Sequence, residues 1–213
     1  MTAVPAPPPG YAVTYSVNFT KAAGLGAWHV QPNGSAPVVL SHSYGLGVGL
    51  TGPEQWSEVV NPGAVIGPSS FMTALMYVPP GAGDQVANWP ALWSTGTLWP
   101  QNGEIDILEG THGQSCFKAH YGTDAAHEVG GSGCNGATGW VQIVMWRSDG
   151  VVTATYNGVK VASVKLPVSA PESVVFQNQD GPVTQCPYCQ GPLRYPTTAW
   201  LSNIKIWNKQ AKR

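Results

Sequence analysis

The chain has 213 residues, of which only 10% are charged, and its formal net charge is −1. No run or stripe of Lys and Arg provides the electrostatic footprint of a nucleic-acid-binding protein, so we expect no nucleic-acid partner. No apolar run reaches the roughly 20 residues that a membrane-spanning helix needs, so we expect no membrane partner either.

Glycine (26 residues) and proline (19) are abundant and separate short apolar runs, as is typical of a turn-rich β protein. Alternating side chains predict a strand over 11–19, and an apolar run predicts a strand buried on both faces over 71–78. The dipeptides Asp149-Gly150 and Asn157-Gly158 predict tight turns of an antiparallel meander. Further strands are expected over 28–30, 38–40, 44–50, 56–60, the acidic stretch 103–110, 117–122, 140–147, 151–156, 159–165, 173–177 and 199–207.

Many short strands without a convincing helix predict an all-β fold of two stacked antiparallel sheets, a sandwich or jelly roll. If such a sandwich is curved, its concave face can hold an extended polymer. Residues 1–10 are predicted to be a flexible leader, because they are rich in Pro and Ala and lack the pattern of a signal peptide. Residues 11–213 are predicted to form a single domain, because an all-β domain can reach this size without splitting.

The stretch Gly103-Glu-Ile-Asp-Ile-Leu-Glu-Gly110 contains three of the 11 acidic residues of the chain. In a strand, Glu104 and Asp106 project from one face, while simple alternation would place Glu109 on the other face. One β-bulge turns Leu108 inward and brings Glu109 out beside the other two acids. Two glutamates leaning together can bring their carboxylates to about 5 to 6 Å, close to the separation in retaining glycosidases.

Each of these acids then has a candidate catalytic role. One glutamate serves as nucleophile and the other as acid/base, while Asp106 hydrogen-bonds the nucleophile and separates the pKa values of the pair. Two other interpretations stay open, which are an exposed acidic edge strand and a set of three calcium ligands. A purely structural strand would rarely place three mutually repelling acids on one face.

Trp89, Trp93 and Trp99 lie shortly before the acidic stretch and are predicted to bind substrate. Sugar rings stack on exposed aromatic faces, and Trp93 and Trp99 are the candidate platforms. His120 is expected on the next strand and is also predicted to line the substrate-binding site. There it can hydrogen-bond Asp106 or the nucleophile, although a structural role is equally open. Three other tryptophans lie in strand patterns and are predicted to pack in the core, namely Trp146, Trp200 and Trp207.

The four cysteines lie in or beside loops rich in Gly and Pro. Their even number predicts disulfides and an oxidising compartment, with Cys116 paired to Cys134 and Cys186 to Cys189. Four reduced, buried thiols are the alternative. The Cys186-Pro-Tyr-Cys189 spacing matches a redox motif, but no strand-to-helix context supports that role. A secreted protein is therefore predicted, whose export signal is absent from this sequence.

The segment Trp99-Pro-Gln-Asn-Gly-Glu-Ile-Asp-Ile-Leu-Glu109 resembles the active-site signature of glycoside hydrolase family 16. Its two residues between Asp106 and Glu109 match the bulged form of laminarinase-type endo-β-1,3-glucanases. Supporting matches are Trp89-Pro-Ala-Leu-Trp93, His120-Tyr-Gly122 and 146–158, so that the resemblance covers roughly 71–158. Two positions depart from the family pattern, since Met145 stands where an acid is frequent and the segment around Gln177 does not match.

The resemblance implies a concanavalin-like β-jelly roll and a retaining double displacement on β-1,3 or mixed β-1,3/1,4 glucan. Glu104 would be the nucleophile, Asp106 its assisting acid and Glu109 the acid/base. A polysaccharide is thus the expected partner of a monomeric endo-hydrolase that requires no cofactor. A structural calcium ion remote from the cleft is a further family expectation that no sequence feature locates.

Two other functions remain open at this stage. The same chemistry could act on another polymer, such as an agar- or carrageenan-like galactan, or could transfer glycosyl groups instead of hydrolysing them. A protein of a different class could use the same groove to bind carbohydrate without cleaving it. A missing catalytic acid would indicate such a binding protein, and all three acids are present.

Overall fold

The fold is built from β-strands, some of which alternate between buried and more exposed side chains while others are buried along most of their length. A computed structural model of the protein describes residues 5–123, 126–180 and 190–210. The one helical element among these residues is a short 3-10 turn, Ala82–Asp84. The strands are β1 (Tyr11–Asn18), β2 (His29–Val30), β3 (Val38–Ser41), β4 (Gly45–Leu50), β5 (Trp56–Ile66), β6 (Ser70–Val78), β7 (Trp89–Thr95), β8 (Glu104–Thr111), β9 (Gln114–Thr123), β10 (Ala126–Asn135), β11 (Gly139–Ser148), β12 (Val151–Tyr156), β13 (Val159–Lys165), β14 (Glu172–Gln179) and β15 (Thr197–Lys209).

These strands form two antiparallel sheets, as the sequence predicts. One sheet has the order β13-β12-β11-β6-β15-β4-β3, with β1 also paired to β15, and the other has the order β10-β9-β8-β7-β14-β5-β2. The acidic strand β8 is therefore the third strand of the second sheet, with paired neighbours on both sides. The alternative of an exposed acidic edge strand is wrong.

The core lies between the two sheets and contains apolar side chains from both. Ile105, Ile107 and Leu108 of β8 are fully buried, as are Met72 and Met76 of β6. Each such side chain contributes about 1.5–3 kcal/mol of burial free energy. This packing fixes the phase of β8 and thereby decides which of its side chains face outward.

The two predicted tight turns are confirmed. Asp149 and Asn157 have φ angles of 54° and 52°, and the glycines that follow them have φ angles of 71° and 83°. Two successive residues with positive φ are the signature of type I′ turns, which match the twist of the strands that they join. The turns connect β11, β12 and β13 as the expected meander.

Two strands are absent from the sequence prediction. The segment of β7 contains Trp89-Pro90 and resembles a loop by composition, and β10 contains several glycines. Strand β5 is also longer than expected, because Pro62 and Gly63 lie in a bulge against β14 and do not end the strand. Pairing with neighbours that are distant in sequence outweighs local composition at these positions.

The predicted core location of three tryptophans is wrong. On β11, Val141, Ile143 and Met145 point inward, so Trp146 lies on the opposite face with 47% of its surface exposed. Trp200 and Trp207 are only partly buried and also face outward, because a register shift between Leu201 and Asn203 changes the phase of β15. Apolar composition alone does not reveal which face of a strand is covered.

One of the two predicted disulfides is confirmed. Cys116 and Cys134 are bonded to each other and are register partners on β9 and β10. The predicted pair Cys186 and Cys189 lies outside the described residues. A structural disulfide is typical of an oxidising compartment, which agrees with the compartment predicted from the sequence.

Candidate active site

The predicted bulge in β8 lies between Asp106 and Glu109. On one side Trp93 pairs with Asp106 and Leu92 with Leu108, while on the other side Lys118 pairs with Asp106 and Cys116 with Glu109. Both neighbouring strands therefore have one residue fewer than β8 across this interval. The bulge brings Glu104, Asp106 and Glu109 together along one cavity, while Ile107 and Leu108 remain in the core.

A buried tyrosine on the other sheet supports the bulge from beneath. The Tyr156 hydroxyl lies 2.8 Å from the Ile107 carbonyl oxygen and 3.0 Å from that of Cys116, and donates toward both. Bulged residues lose regular ladder partners, so a buried carbonyl there needs another donor. Complete burial raises the pKa of Tyr156 well above its usual value, which keeps the hydroxyl protonated as a donor. The sequence contains no local signal for this role.

Glu109 has two donors fixing its carboxylate. The Trp89 indole Nε1 donates to Glu109 Oε1 over 2.7 Å, and Lys118 Nζ donates to Oε2 over 2.7 Å. Trp89 was predicted to bind substrate and in fact contacts a candidate catalytic acid. Lys118 is absent from the sequence prediction, because only the register of β9 against β8 places it beside Glu109.

His120 lies beside Asp106 and Glu104, where the sequence predicts that it can form a hydrogen bond. Its Nε2 lies 3.0 Å from Asp106 Oδ2 and 3.8 Å from Glu104 Oε1. Burial lowers the pKa of the imidazole, but the hydrogen bond and charge of Asp106, together with the charge of Glu104, outweigh this effect and raise it. An imidazolium at this position favours the ionised form of Glu104.

The two glutamates of the cluster, Glu104 and Glu109, resist ionisation. Burial and the neighbouring charge of Asp106 raise the pKa of Glu104 to about 8, although His120 partly opposes the shift. Burial and the charge of Asp106 also raise the pKa of Glu109, against the opposing effect of Lys118. Since the groups interact, the protons leave the cluster as a coupled system. Perturbed carboxyls in a cleft are characteristic of catalytic sites.

The cluster lines an open cavity of about 240 Å³ on the outer face of the second sheet. Trp89 and Trp93 form part of its wall, and their predicted substrate-binding role stays a prediction. The Trp93 Nε1 donates to Gln177 Oε1 over 3.1 Å, and Gln177 and Gln179 line the same cavity. The two glutamines were missed, because amides at alternate positions of β14 become a cleft surface only when β14 pairs with β7.

Trp99 lies in the loop before β8, and 47% of its surface is exposed. It forms a side-chain hydrogen bond with Glu104, which lowers the pKa of that carboxyl against the stronger effects that raise it. Its exposed ring remains suitable as a sugar platform. The predicted substrate-binding role of Trp99 therefore stays a prediction.

A buried ion pair lies behind the start of β8. Arg147 Nη1 donates to Glu172 Oε1 over 2.7 Å, Ser94 Oγ donates to Glu172 Oε2 over 2.8 Å, and both charged side chains are almost completely buried. Gly103 packs directly on the pair, with a φ angle of 87°, and a Cβ there would lie only 2.7 Å from Val168 Cγ2. Glycine is therefore required where the chain enters the acidic strand.

The described residues contain one group of three or more His, Cys, Asp or Glu side chains that is tight enough to hold a metal ion. It consists of Glu104, Asp106 and His120, whose ligand atoms lie within 4.8 Å of one another. Calcium prefers six to eight oxygen ligands, and this set contains an imidazole that bonds directly to Asp106. These three residues do not fit a calcium ion, and the expected structural calcium ion remote from the cleft stays a prediction without a location.

The fold and the acidic cleft are those of a glycoside hydrolase, and a family model agrees. Residues 70–163 match the family model described as XgeA-like, catalytic GH16 domain. This match runs from the start of β6 into β13, includes the acidic strand, and confirms the resemblance to glycoside hydrolase family 16.

Relatives of known name agree with this family. The chain is 34% identical over 100 residues to a probable endo-1,3(4)-beta-glucanase of Aspergillus niger, covering 47% of this chain and 13% of that protein. It is 25% identical over 161 residues to the endo-1,3(4)-beta-glucanase XgeA of Emericella nidulans, covering 71% of this chain and 25% of that protein. The chain thus spans a quarter or less of the length of these two relatives.

Solved structures confirm the jelly-roll fold. SCLam, a non-specific endo-beta-1,3(4)-glucanase from family GH16, superposes with a TM-score of 0.75 at 13% identity, over 96% of this chain and 94% of that one. The endo-beta-1,3-glucanase from Pyrococcus furiosus superposes with a TM-score of 0.70 at 12% identity, over 95% and 96% of the two chains. At these identities the superpositions establish the fold alone.

The ion pair between Lys118 and Glu109 predicts a change in pH dependence. Lys118 lowers the pKa of Glu109, so replacing it with Met should raise that pKa further above its usual value. If Glu109 must carry a proton as general acid, the basic limb of the pH profile of kcat/KM then moves to higher pH. Lys118→Arg retains the charge and should leave the limb in place. An unchanged limb in Lys118→Met would contradict this role of the pair.

Proposed function

We propose that the protein is a retaining endo-glycoside hydrolase that cleaves β-1,3 or mixed β-1,3/1,4 glucan. The observation that carries the proposal is the bulge of β8, which brings Glu104, Asp106 and Glu109 to one cavity flanked by tryptophans. A pair of carboxyl groups beside a sugar-binding surface is the arrangement that glycoside hydrolysis requires.

In the first step of the proposed mechanism, a Glu104 carboxylate oxygen attacks the anomeric carbon. The glycosidic C–O bond breaks, and Glu109 gives its proton to the departing oxygen. In the second step Glu109 takes a proton from water, whose oxygen attacks the anomeric carbon and releases Glu104. Two inversions at one carbon give net retention of configuration.

The contacts of the site suit these proposed roles. Trp89 and Lys118 hold the Glu109 carboxylate in place, and Lys118 also favours the ionised form that the second step needs. Asp106 and His120 form a hydrogen-bonded pair beside Glu104, so a proton on His120 can offset the charge of the nucleophile. Partial burial strengthens each of these interactions.

The choice of glucan is supported by the names of the relatives. The Aspergillus niger and Emericella nidulans proteins are named endo-1,3(4)-beta-glucanases. The family model matches residues 70–163, which include the acidic strand. The length of the bulge points in the same direction, because it matches the laminarinase-type form of the family signature. A polysaccharide is therefore the proposed partner.

Reducing-sugar release from a panel of purified polysaccharides tests this function. We expect release from laminarin and mixed-linkage β-glucan and little from agarose or carrageenan, with Glu104→Gln as the control. Equal release by the Glu104→Gln variant would show that the activity does not come from this site. Release from a galactan alone would refute the proposed substrate but not the proposed reaction.

Transglycosylation is the second candidate reaction. The Crh5 transglycosylase superposes on this chain with a TM-score of 0.68 at 16% identity, which shows that the same fold occurs in a protein of that name. Both reactions share the covalent intermediate and differ only in the acceptor. Product analysis with an added oligosaccharide acceptor separates them, since transfer gives products longer than the substrate.

We also propose that the protein is a secreted monomer. The disulfide between Cys116 and Cys134 supports an oxidising compartment. None of the described residues forms a helix of the length and hydropathy that crossing a membrane would demand. An extracellular location would give the enzyme access to a polymer that is too large to enter a cell.

A further inference from the structure

The sheet that does not contain the acidic strand has a row of aromatic side chains on its outer face. Trp140 of β11 is the register partner of Tyr77 of β6, and Tyr77 is the register partner of Trp200 of β15. Tyr44, directly before β4, extends the row. Adjacent strands lie about 4.8 Å apart, so the rings span roughly 15 Å across the sheet.

Contacts within the row hold the rings in place. The Tyr77 and Trp140 ring centroids are 5.5 Å apart, and those of Tyr44 and Trp200 are 5.3 Å apart. The Trp200 ring lies against Gly47, where an added Cβ would be only 2.6 Å from its Cζ3 atom. A larger residue at position 47 would displace the ring. The platform is thus organised before any ligand arrives, which reduces the entropy cost of binding.

The row forms the floor of a groove made of two neighbouring depressions. One has a volume of about 240 Å³ and is lined by the four aromatic rings. The other, of about 320 Å³, shares Tyr77 and Trp200 with the first and adds the hydroxyl groups of Thr197 and Thr198. Aromatic faces bordered by hydroxyls are the surface that binds a sugar, through its C–H face and its hydroxyls respectively.

The charge of the groove indicates a neutral ligand. Among the described residues that line the two depressions there is no carboxylate, and Arg194 is the one charged side chain. The Arg194 guanidinium donates to the Pro80 carbonyl oxygen over 2.6 Å, so part of its hydrogen-bonding capacity is used within the protein. A polyanionic ligand would need several cations, which this surface does not provide.

We infer that this groove is a second polysaccharide-binding surface. Its ligand is a neutral glycan of the kind that the cleft is proposed to cleave, and in that respect the inference rests on the proposed function. The two sites belong to different sheets and face away from each other across the sandwich. The groove therefore does not extend the cleft. It would hold one chain of a glucan gel or particle while the cleft acts on another chain.

Binding to insoluble β-1,3-glucan tests the inference, with all variants made in a Glu104→Gln background so that no polymer is cleaved. Trp140→Ala/Trp200→Ala should weaken retention by about tenfold, as expected for the loss of two aromatic platforms. Trp146→Ala is the matched control, because Trp146 lies on the same strand and face but lines a separate depression. This control should bind like the parent protein.

The same groove variants with Glu104 intact show whether the two sites act separately. Hydrolysis of a short soluble β-1,3-gluco-oligosaccharide should remain within about twofold of the parent rate, while hydrolysis of the insoluble glucan should fall. If the double variant does not fold, Tyr44→Ala replaces it in both experiments. Tyr44 is 51% exposed, so its ring can be removed with little loss of core packing.

Three outcomes would overturn the inference. They are unchanged retention of the groove variants, equal weakening by Trp146→Ala, and a concentration-dependent dimer that the groove variants abolish and glucan does not disrupt. If the parent protein cleaves no polysaccharide of the panel, the proposed function fails instead. Retention that depends on Trp140 and Trp200 would still support the groove in that case.

Discussion

Replacing Glu104 with Ala is expected to reduce kcat on β-1,3-glucan by more than about 10⁴-fold, as for the loss of other covalent nucleophiles. Added azide can occupy the space of the missing carboxylate and attack the same face of the sugar. The product should then be a glycosyl azide of inverted configuration, detectable by NMR spectroscopy with an activated aryl glycoside as substrate.

Glu109→Ala is the matched control for this experiment. Loss of the general acid should cost about 10²–10⁴-fold on glucan, and much less on an aryl glycoside whose leaving group needs no proton. Azide should then react with the glycosyl-enzyme and give a product of retained configuration. If the two variants gave azides of the same configuration, the assignment of nucleophile and acid/base would be contradicted.

Replacing Arg147 with Met is expected to cause the largest loss of stability, about 3–5 kcal/mol at pH 8. The variant would leave Glu172 buried with Ser94 as its remaining described hydrogen-bond donor. In the parent protein burial already raises the pKa of Glu172 to about 7, although Arg147 and Ser94 oppose the shift. Removing the guanidinium raises this pKa further. The free energy of unfolding, measured by urea denaturation, is the quantity to compare.

The sign of the pH dependence follows from this raised pKa. A carboxyl whose pKa is higher in the folded state binds more protons there than in the unfolded chain, so stability falls as the pH rises from the unfolded pKa to the folded one. For Arg147→Met this decline should continue above pH 7, at up to about 1.4 kcal/mol per pH unit. Adding Glu172→Gln should remove the slope. A variant whose loss of stability is the same at pH 5 and pH 8 would contradict this account.

The alternation in β8 was sufficient to predict the central feature of the site. Because the isoleucines must face the core, Glu109 can join the other acids only through a bulge, and the register of both neighbouring strands confirms it. The same argument places His120 on the strand after the acids. The structure confirms the predicted hydrogen bond of His120 to Asp106, while the role of His120 in the reaction stays a prediction.

The remaining parts of the site depend on which strands become neighbours. Lys118 reaches the cleft because the register of β9 against β8 places it beside Glu109. Gln177 reaches the cleft because β14 pairs with β7, which is distant in sequence and gives no local sign of the pairing. The error at Trp146 has the same origin. A large apolar residue in a strand has no preferred face until the phase of that strand is known.

The anomeric configuration of the first product tests the central claim most directly. Hydrolysis of a β-1,3-glucan oligosaccharide can be followed by proton NMR spectroscopy before the released sugar equilibrates. A double displacement through Glu104 predicts that the β-anomer of the new reducing end appears first and the α-anomer only later, by mutarotation. Initial release of the α-anomer would contradict the retaining mechanism and with it the assignment of the three acids of β8.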